Sequence, residues 1–469
     1  VNKRKGNVKN SISVHIFLGD SLVTNDTGVE HHPQNIPDEI GYDRIRDAFR
    51  SKSEIAYQGA VQRLDNKRTH LKQNPKPADN AAVPEFKRMP PAVWIGPSAL
   101  TNPCPVTDME QLSNRLSKVF SDYPELFNHC VKVYQKRVDY YRLTSEGQKI
   151  LQPDTAFHIT ARASIKTDGN EVKTEYYRLH VGGINDLPSE DALIGELHQF
   201  AQYMRQKSRA KAVEDLYIGP VLYEDDAAME LLARKIADHS HSYWISIRNQ
   251  SDRKHRYLGK QVFPPALSVC QLGSDSVYNG VKLLGYRQVD ADGTKPMTLP
   301  IIEKGILKHM LTGRTPSLGC PASTGNEHFD GLSRSLETRY IAGVFHVTSN
   351  RPVPYSKLYK RFLKAAKKAG LEHTYIIRKN RTSPYALIRV DLSTGKEELV
   401  EGNYNAPSRE QFKRMHAISK EENVYNLDPA GGKGLGIISP KAILLEDMEL
   451  DITPSRARHI DEAFYELRH

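Results

Sequence analysis

Gly219-Pro220-Val221-Leu222-Tyr223-Glu224-Asp225-Asp226-Ala227-Ala228-Met229-Glu230-Leu231-Leu232-Ala233-Arg234-Lys235-Ile236-Ala237-Asp238 is the stretch on which the reading of this chain turns. Up to Tyr223 it is a short apolar and aromatic run, the length of a buried strand. Beyond it Ala228, Leu232 and Ile236 recur at every fourth residue, which is the stripe of a helix. A strand from Tyr217 to Tyr223 therefore feeds a helix from Glu224 to Asp238, with Glu224, Asp225 and Asp226 favouring the helix N-terminus.

Upstream of this stretch, Ile12, Val14, Ile16 and Leu18 alternate, so Ser11 to Gly19 reads as a half-buried strand. His31 and His32 follow in a polar loop. Ile45, Phe49, Ala56, Ala60 and Leu64 predict a long amphipathic helix over Tyr42 to Gln73. The proline-bearing segment from Asn74 to Pro105 reads as a surface loop. Thr107-Asp108-Met109-Glu110 has the pattern of a capping box, ahead of a helix striped by Met109, Leu112, Leu116, Val119 and Phe120. Phe157 to Ile165 alternates, turns at Asp168-Gly169 and returns as Val172 to Leu179, a hairpin signal. Leu193, Leu197, Phe200 and Met204 share one side of another helix.

Downstream, turns are expected at Asp290–Gly293 and at Glu303-Lys304-Gly305. A helix from Ser356 to Ala369 stops at Gly370, the residue best suited to a left-handed cap. Strands are expected at Tyr375–Arg378, Ala386–Val390 and Ala442–Leu445. At 469 residues the chain exceeds one ordinary core. The change of character near 213–217 predicts two domains, an α+β domain over 1–213 and a second over 214–469.

The formal charge is +10, with 66 basic and 56 acidic residues interspersed. The densest basic run is Lys357, Lys360, Arg361, Lys364, Lys367 and Lys368, set between Leu358, Phe362 and Ala366. It reads as the wet face of an amphipathic helix rather than a nucleic-acid patch. No apolar run approaches the ~20 residues of a membrane span. The four cysteines, Cys104, Cys130, Cys270 and Cys320, form no CxxC pair and read as buried free thiols. The chain opens at Val1 rather than Met, so an upstream segment is expected to have been removed and the compartment stays open.

Several segments together resemble the TldD/PmbA family, also called modulator of DNA gyrase proteins. The family's Gly-Pro-Val strand and its helix resemble Gly219 to Leu232. Its Asp-Gly turn and "lIenGvLk" turn resemble Asp292-Gly293 and Ile301 to Lys308. An Arg-containing segment, Leu311-Thr312-Gly313-Arg314, comes next, and the closing "sLLvEEvEl" resembles Ala442 to Leu450. In one exported-looking branch Leu143 to Gly147 also matches loosely. The resemblance implies an N-terminal α+β domain and a C-terminal domain rich in curved antiparallel sheet. It further implies relatives that are zinc peptidases acting on unfolded peptides, paired with an inactive partner, cytoplasmic in much of the family.

Active members carry HExxxH on the helix after the Gly-Pro-Val strand. Two imidazoles about one turn apart grip a Zn²⁺, and the Glu takes a proton from bound water; a Cys from a later loop completes the site. Here Ala233 and Asp238 stand at the two His positions, and Arg234 stands at the Glu position. No Cys follows Cys320. His198, His309 and His328 are isolated in sequence, and His239 and His241, two apart, point to different faces of a helix. No nucleophile elbow, phosphate loop or dinucleotide fingerprint appears, and the Gly431–Gly434 run has the wrong spacing for one.

The first expectation is therefore a non-catalytic member with no zinc and no catalytic residue. It would act as a partner subunit, in a TldD-type pair or a homodimer, or as a scaffold for extended peptides. Arg234, Arg314 and Arg339 are its candidate substrate-binding residues, each with a surface salt bridge as the plainer alternative. The second is a hydrolase whose metal has moved to Asp238, His239 and His241. The third is nucleic-acid binding, driven by charge.

Overall fold

The computed structural model describes residues 10–25, 34–36, 41–76, 84–167, 171–240, 256–314, 319–327, 343–383, 385–427 and 434–452. The fold is α+β, with open, mixed sheets. The expected turn at Asp168-Gly169, the His31–His32 pair and residues 431–433 of the glycine run lie outside the described residues, although the strands on either side of the turn are placed.

Helix α1 spans Tyr42–Gln73, as the spacing predicts. Only its later stripe is covered: Ala56, Ala60 and Leu64 are buried, whereas Ile45 and Phe49 are exposed. Lys67 is buried too, 2.6 Å from Glu85. The strand expected from Ser11 to Gly19 is shorter, at Asn10–Ile12, and pairs with Gln34–Ile36. The cause is local: Asn25 accepts from the Leu18 amide and donates to the Ile16 carbonyl, each at 2.8 Å, so a side chain takes over bonds a ladder would make.

Helix α2, Val106–Ser117, starts one residue before the expected capping box. Pro105 occupies the N-cap, no side chain caps it, and the Pro105 carbonyl accepts from the Asp108 and Met109 amides. Thr107 is thus already inside the helix. The predicted hairpin forms between Lys149–Lys166 and Val172–Val181, strictly antiparallel. Two strands that pair with Lys149–Lys166 were not read from the sequence. Phe127–Leu143 pairs along Lys149–Lys166, and Val93–Ile95, inside the segment expected to be loop, pairs parallel with residues 149–151. Helix α3, Glu190–Ser208, closes this core with Leu193, Leu197, Phe200 and Met204, all buried.

The second half holds two larger sheets. One has seven strands in the order Met415–Ile418, Ala442–Ile452, Asp215–Asp225, His373–Lys379, Ala386–Asp391, Glu397–Glu401, Lys211–Ala212. The other has six, in the order Ile306–Leu307, Leu299–Glu303, Leu267–Gln271, Gly343–Ser349, Leu435–Pro440, Glu422–Leu427. Most pairs are antiparallel, but Asp215–Asp225 with His373–Lys379, Glu397–Glu401 with Lys211–Ala212, and Gly343–Ser349 with Leu435–Pro440 are parallel. Pro220 sits in a central strand, where a missing amide would normally break the ladder. It is accommodated because the neighbouring strand bulges between Leu445 and Met448.

Helix α4 runs Asp226–Ser240, so Glu224 and Asp225 finish the strand rather than open the helix. Glu224 is instead buried, taking a bond from Arg378 at 2.6 Å and another from the Tyr355 hydroxyl. Strand alternation explains the continuous apolar run before it. Val221 and Tyr223 face α4 and share its core with the six-stranded sheet, while Leu222 faces the opposite core. That second core is closed by helix α5, Tyr355–Lys368, through Leu358, Phe362 and Ala366. The six basic residues of α5 are all exposed, as its periodicity predicts.

The turn after Leu299–Glu303 requires glycine. Gly305 has φ +79°, and a Cβ there would lie 2.3 Å from the Phe263 carbonyl oxygen. Of the four cysteines expected to be buried thiols only Cys104 is buried; Cys130 is exposed, and Cys270 and Cys320 are half-buried. Among the described residues no helix is long and apolar enough to cross a membrane.

Candidate functional site

Helix α4 has two working faces. Ala228, Leu232, Ala233 and Ile236 are fully buried and fasten it between the sheets. Ala227, Glu230, Leu231 and Arg234, at spacings of three, four and seven, form one wall of a cavity of ≈ 280 Å³. Tyr223, Leu387, Leu399, Val400 and Glu401 line it from the seven-stranded sheet, and Tyr385 from just before the strand Ala386–Asp391. Tyr203 and Lys207 reach it from α3, and residues 402–407 close the rim. The rim is tied to α4 itself, since the Lys235 ammonium donates to the Pro407 carbonyl at 2.8 Å. Helix α6, Arg409–Lys413, follows at once behind a complete capping box of Ser408 and Gln411.

The charges in this cavity are matched, with one exception. Lys207 pairs with Glu175 at 2.5 Å, and Glu401 pairs with Lys173. Glu230 takes a bond from Lys379 and another from the Tyr385 hydroxyl. Arg234 has no ion pair or hydrogen bond among the described residues, and it is half-buried. The cavity therefore presents one uncompensated guanidinium. Beside it the Tyr223 hydroxyl is buried without a hydrogen-bond partner. Burial pushes the ionisation of both Tyr223 and Tyr404 far up, so each stays a neutral hydroxyl at neutral pH. The cavity can hold and orient an anionic, partly apolar group.

Arg234 stands where the resemblance places the proton-accepting Glu, and it lines the cavity. Ala233, at the first His position, turns a fully buried methyl into the core and offers no donor atom. A methyl and a guanidinium do not fit Zn²⁺, which takes imidazole, thiolate or carboxylate. Among the described residues no three His, Cys, Asp or Glu side chains are grouped to hold a metal ion. The side chains of Asp238 and His239, and the whole of His241, lie outside the described residues, as does His328. His198 meets the Tyr123 hydroxyl at 3.1 Å, and His309 is exposed.

The three candidate arginines are not brought together. Arg339 lies outside the described residues. Arg314 does not line the cavity; its side chain is 6% exposed and lies among carboxylates. It pairs with Glu146, lies 3.5 Å from Asp292, donates to the Lys87 carbonyl at 3.2 Å and stacks over Phe86. Arg142 lies 3.1 Å from the same Asp292. Asp290 beside them accepts from the amides of Asp292, Thr294 and Glu327. Burial, then the Asp292 charge, push Asp290 up to about 7 against those amides. This cluster joins residues 86–146 to residues 290–327, so Arg314 is committed to holding the chain together.

Tyr223, Tyr404, Lys207 and Glu230 were not singled out in the sequence. The spacing of Ala227, Glu230, Leu231 and Arg234 was the available signal. Nothing in the residues 402–407 marked them as a rim.

Residues 218–346 match the family model described as the PmbA/TldA metallopeptidase C-terminal domain. No curated sequence matches the chain. Among solved structures, a Thermotoga maritima protein described as a modulator of a DNA gyrase is similar at TM-score 0.56 and 14% identity, over 85% of this chain and 83% of that one. TldE from Thermococcus kodakarensis is similar at TM-score 0.51 and 12% identity, over 88% and 86%. A Bacteroides thetaiotaomicron protein described as a modulator of DNA gyrase is similar at TM-score 0.52 and 13% identity, over 92% and 87%. Those identities speak to the fold alone, whereas the matched family model contains the Gly-Pro-Val strand, α4, Asp292-Gly293 and the Gly305 turn. Residues 218–346 are thus similar to the C-terminal domain of the PmbA/TldA metallopeptidases, and most of the chain shares the fold of those solved structures.

Proposed function

We propose that this chain is a non-catalytic TldD/PmbA-like protein that holds extended peptides in the cleft beside α4, as a scaffold or as the partner subunit of an active relative. The observation that carries the reading is Arg234. A guanidinium replaces the general base of the family's active members, faces the cavity, and forms no ion pair or hydrogen bond among the described residues. A cation at that position repels a metal ion and attracts a carboxylate. The surrounding tyrosines and aliphatic side chains suit a peptide, because they offer apolar area with a few polar tips.

Dimerisation, with a second copy or with a zinc-bearing relative, belongs to the same proposal, as does a division of the chain near residue 213. The test combines elemental analysis of the purified protein with a casein cleavage assay and size-exclusion chromatography with light scattering. Less than stoichiometric zinc and no cleavage are expected. Stoichiometric zinc with chelator-sensitive cleavage would overturn the proposal and direct attention to Asp238, His239 and His241.

A further inference from the structure

We infer that the cleft recognises the C-terminal end of a peptide, its free α-carboxylate held by Arg234 and Tyr223 and its last side chain, an apolar one, held by the aliphatic lining. This rests on the cleft being a peptide site and adds which part of the peptide enters it.

The charge pattern is the first support. Each other charged side chain of the lining already has an opposite partner: Lys207 with Glu175, Glu401 with Lys173, and Glu230 with Lys379. The site is thus short of one negative charge. An internal stretch of peptide backbone is neutral and would leave the guanidinium desolvated without compensation. A carboxylate meets its planar fork with two parallel hydrogen bonds.

The second support is Tyr223, a residue of the cavity lining whose hydroxyl is buried and has no hydrogen-bond partner. Such a group is costly unless a ligand completes it. It stays protonated at neutral pH and so donates, which is what a carboxylate oxygen requires.

Size and composition are the third. At ≈ 280 Å³ the cavity lies at or below the ~300–1,000 Å³ of sites for drug-sized ligands, so it takes a chain end rather than a length of chain. Ala227, Leu231, Leu387, Leu399 and Val400 form the apolar part of its wall.

The experiment is fluorescence anisotropy with an N-terminally labelled, unstructured decapeptide ending in leucine, as the free acid and as the C-terminal amide. Unlabelled N-acetyl-leucine serves as competitor. The free acid is expected to bind roughly tenfold or more tightly than the amide, a ratio of the size a charge-assisted pair gives. Arg234→Met should abolish that ratio, and Tyr223→Phe should reduce it several-fold in a chain whose fold is unperturbed. Binding of N-acetyl-leucine measured directly by calorimetry, with neither peptide binding, would overturn the inference in favour of a small carboxylate ligand. Equal binding of acid and amide would overturn it too, while leaving the cleft as a peptide site. Binding of neither peptide would remove both this inference and the proposed function.

Discussion

Arg234 and Arg314 are both half-buried or buried arginines in one family domain, yet their surroundings differ in sign. Around Arg314 the structure supplies Glu146 and Asp292, an aromatic face and a carbonyl, with Arg142 and Asp290 adjacent. Around Arg234 the neighbouring carboxylates are already taken by other cations. The first guanidinium meets carboxylates of the chain itself and the second forms no such pair among the described residues. An arginine in a cleft is informative only once its counter-charges have been counted.

Breaking the Arg314 cluster should have the largest effect. Arg314→Met leaves Glu146 without its cation and Asp292 with Arg142 alone, and a buried pair broken on one side costs up to about 3–5 kcal/mol. Urea denaturation should show that loss, and an unchanged midpoint would mean the cluster is not structural. Ala233→His comes next. The Ala233 methyl is fully buried, so an imidazole overpacks the core at a cost of about 1–3 kcal/mol, and no zinc should bind. Calorimetry with and without zinc reads both outcomes.

The pH dependence sharpens the contrast further. Asp290 is raised to about 7 and Asp226 to about 6, each chiefly by burial. A carboxyl whose pKa is higher in the folded chain than in the unfolded chain holds its proton more tightly when folded. Folding then takes up protons between the two values, and stability falls as pH rises from about 4 through the folded pKa. Melting temperature should therefore drop between about pH 4 and about pH 7. Asp215, which burial raises but the His373 and Tyr375 bonds bring down further, works oppositely and loses its contribution only below about pH 4. The smallest effect belongs to Arg234→Met. With no partner to lose, it should change stability by within about 0.5 kcal/mol while removing ligand binding.

Much of the scaffold was legible because its period is clean. Tyr42–Gln73 and Tyr355–Lys368 match their predicted spans to within a residue or so, and the Lys149–Val181 hairpin follows its alternation. Phe127–Leu143 was not legible. It mixes charged and aromatic residues, and only Val131 along it is buried, so little of its pattern reports a core. Val93–Ile95 was hidden in a proline-bearing segment and has two exposed residues out of three. Half of the site was legible: the helix spacing put Glu230 and Arg234 on one face. The other half was not, because Tyr203, Tyr385 and the 402–407 rim converge through tertiary packing alone.

The most direct test of the account is the affinity of a labelled unfolded peptide for the wild-type chain against Arg234→Met, measured at one ionic strength because exposed charges are screened by salt. The account predicts saturable binding to the wild type and roughly tenfold or greater weakening in the variant, with the melting curve unchanged. Equal affinity in the two proteins would contradict it and place the peptide, if it binds, somewhere other than the α4 cleft.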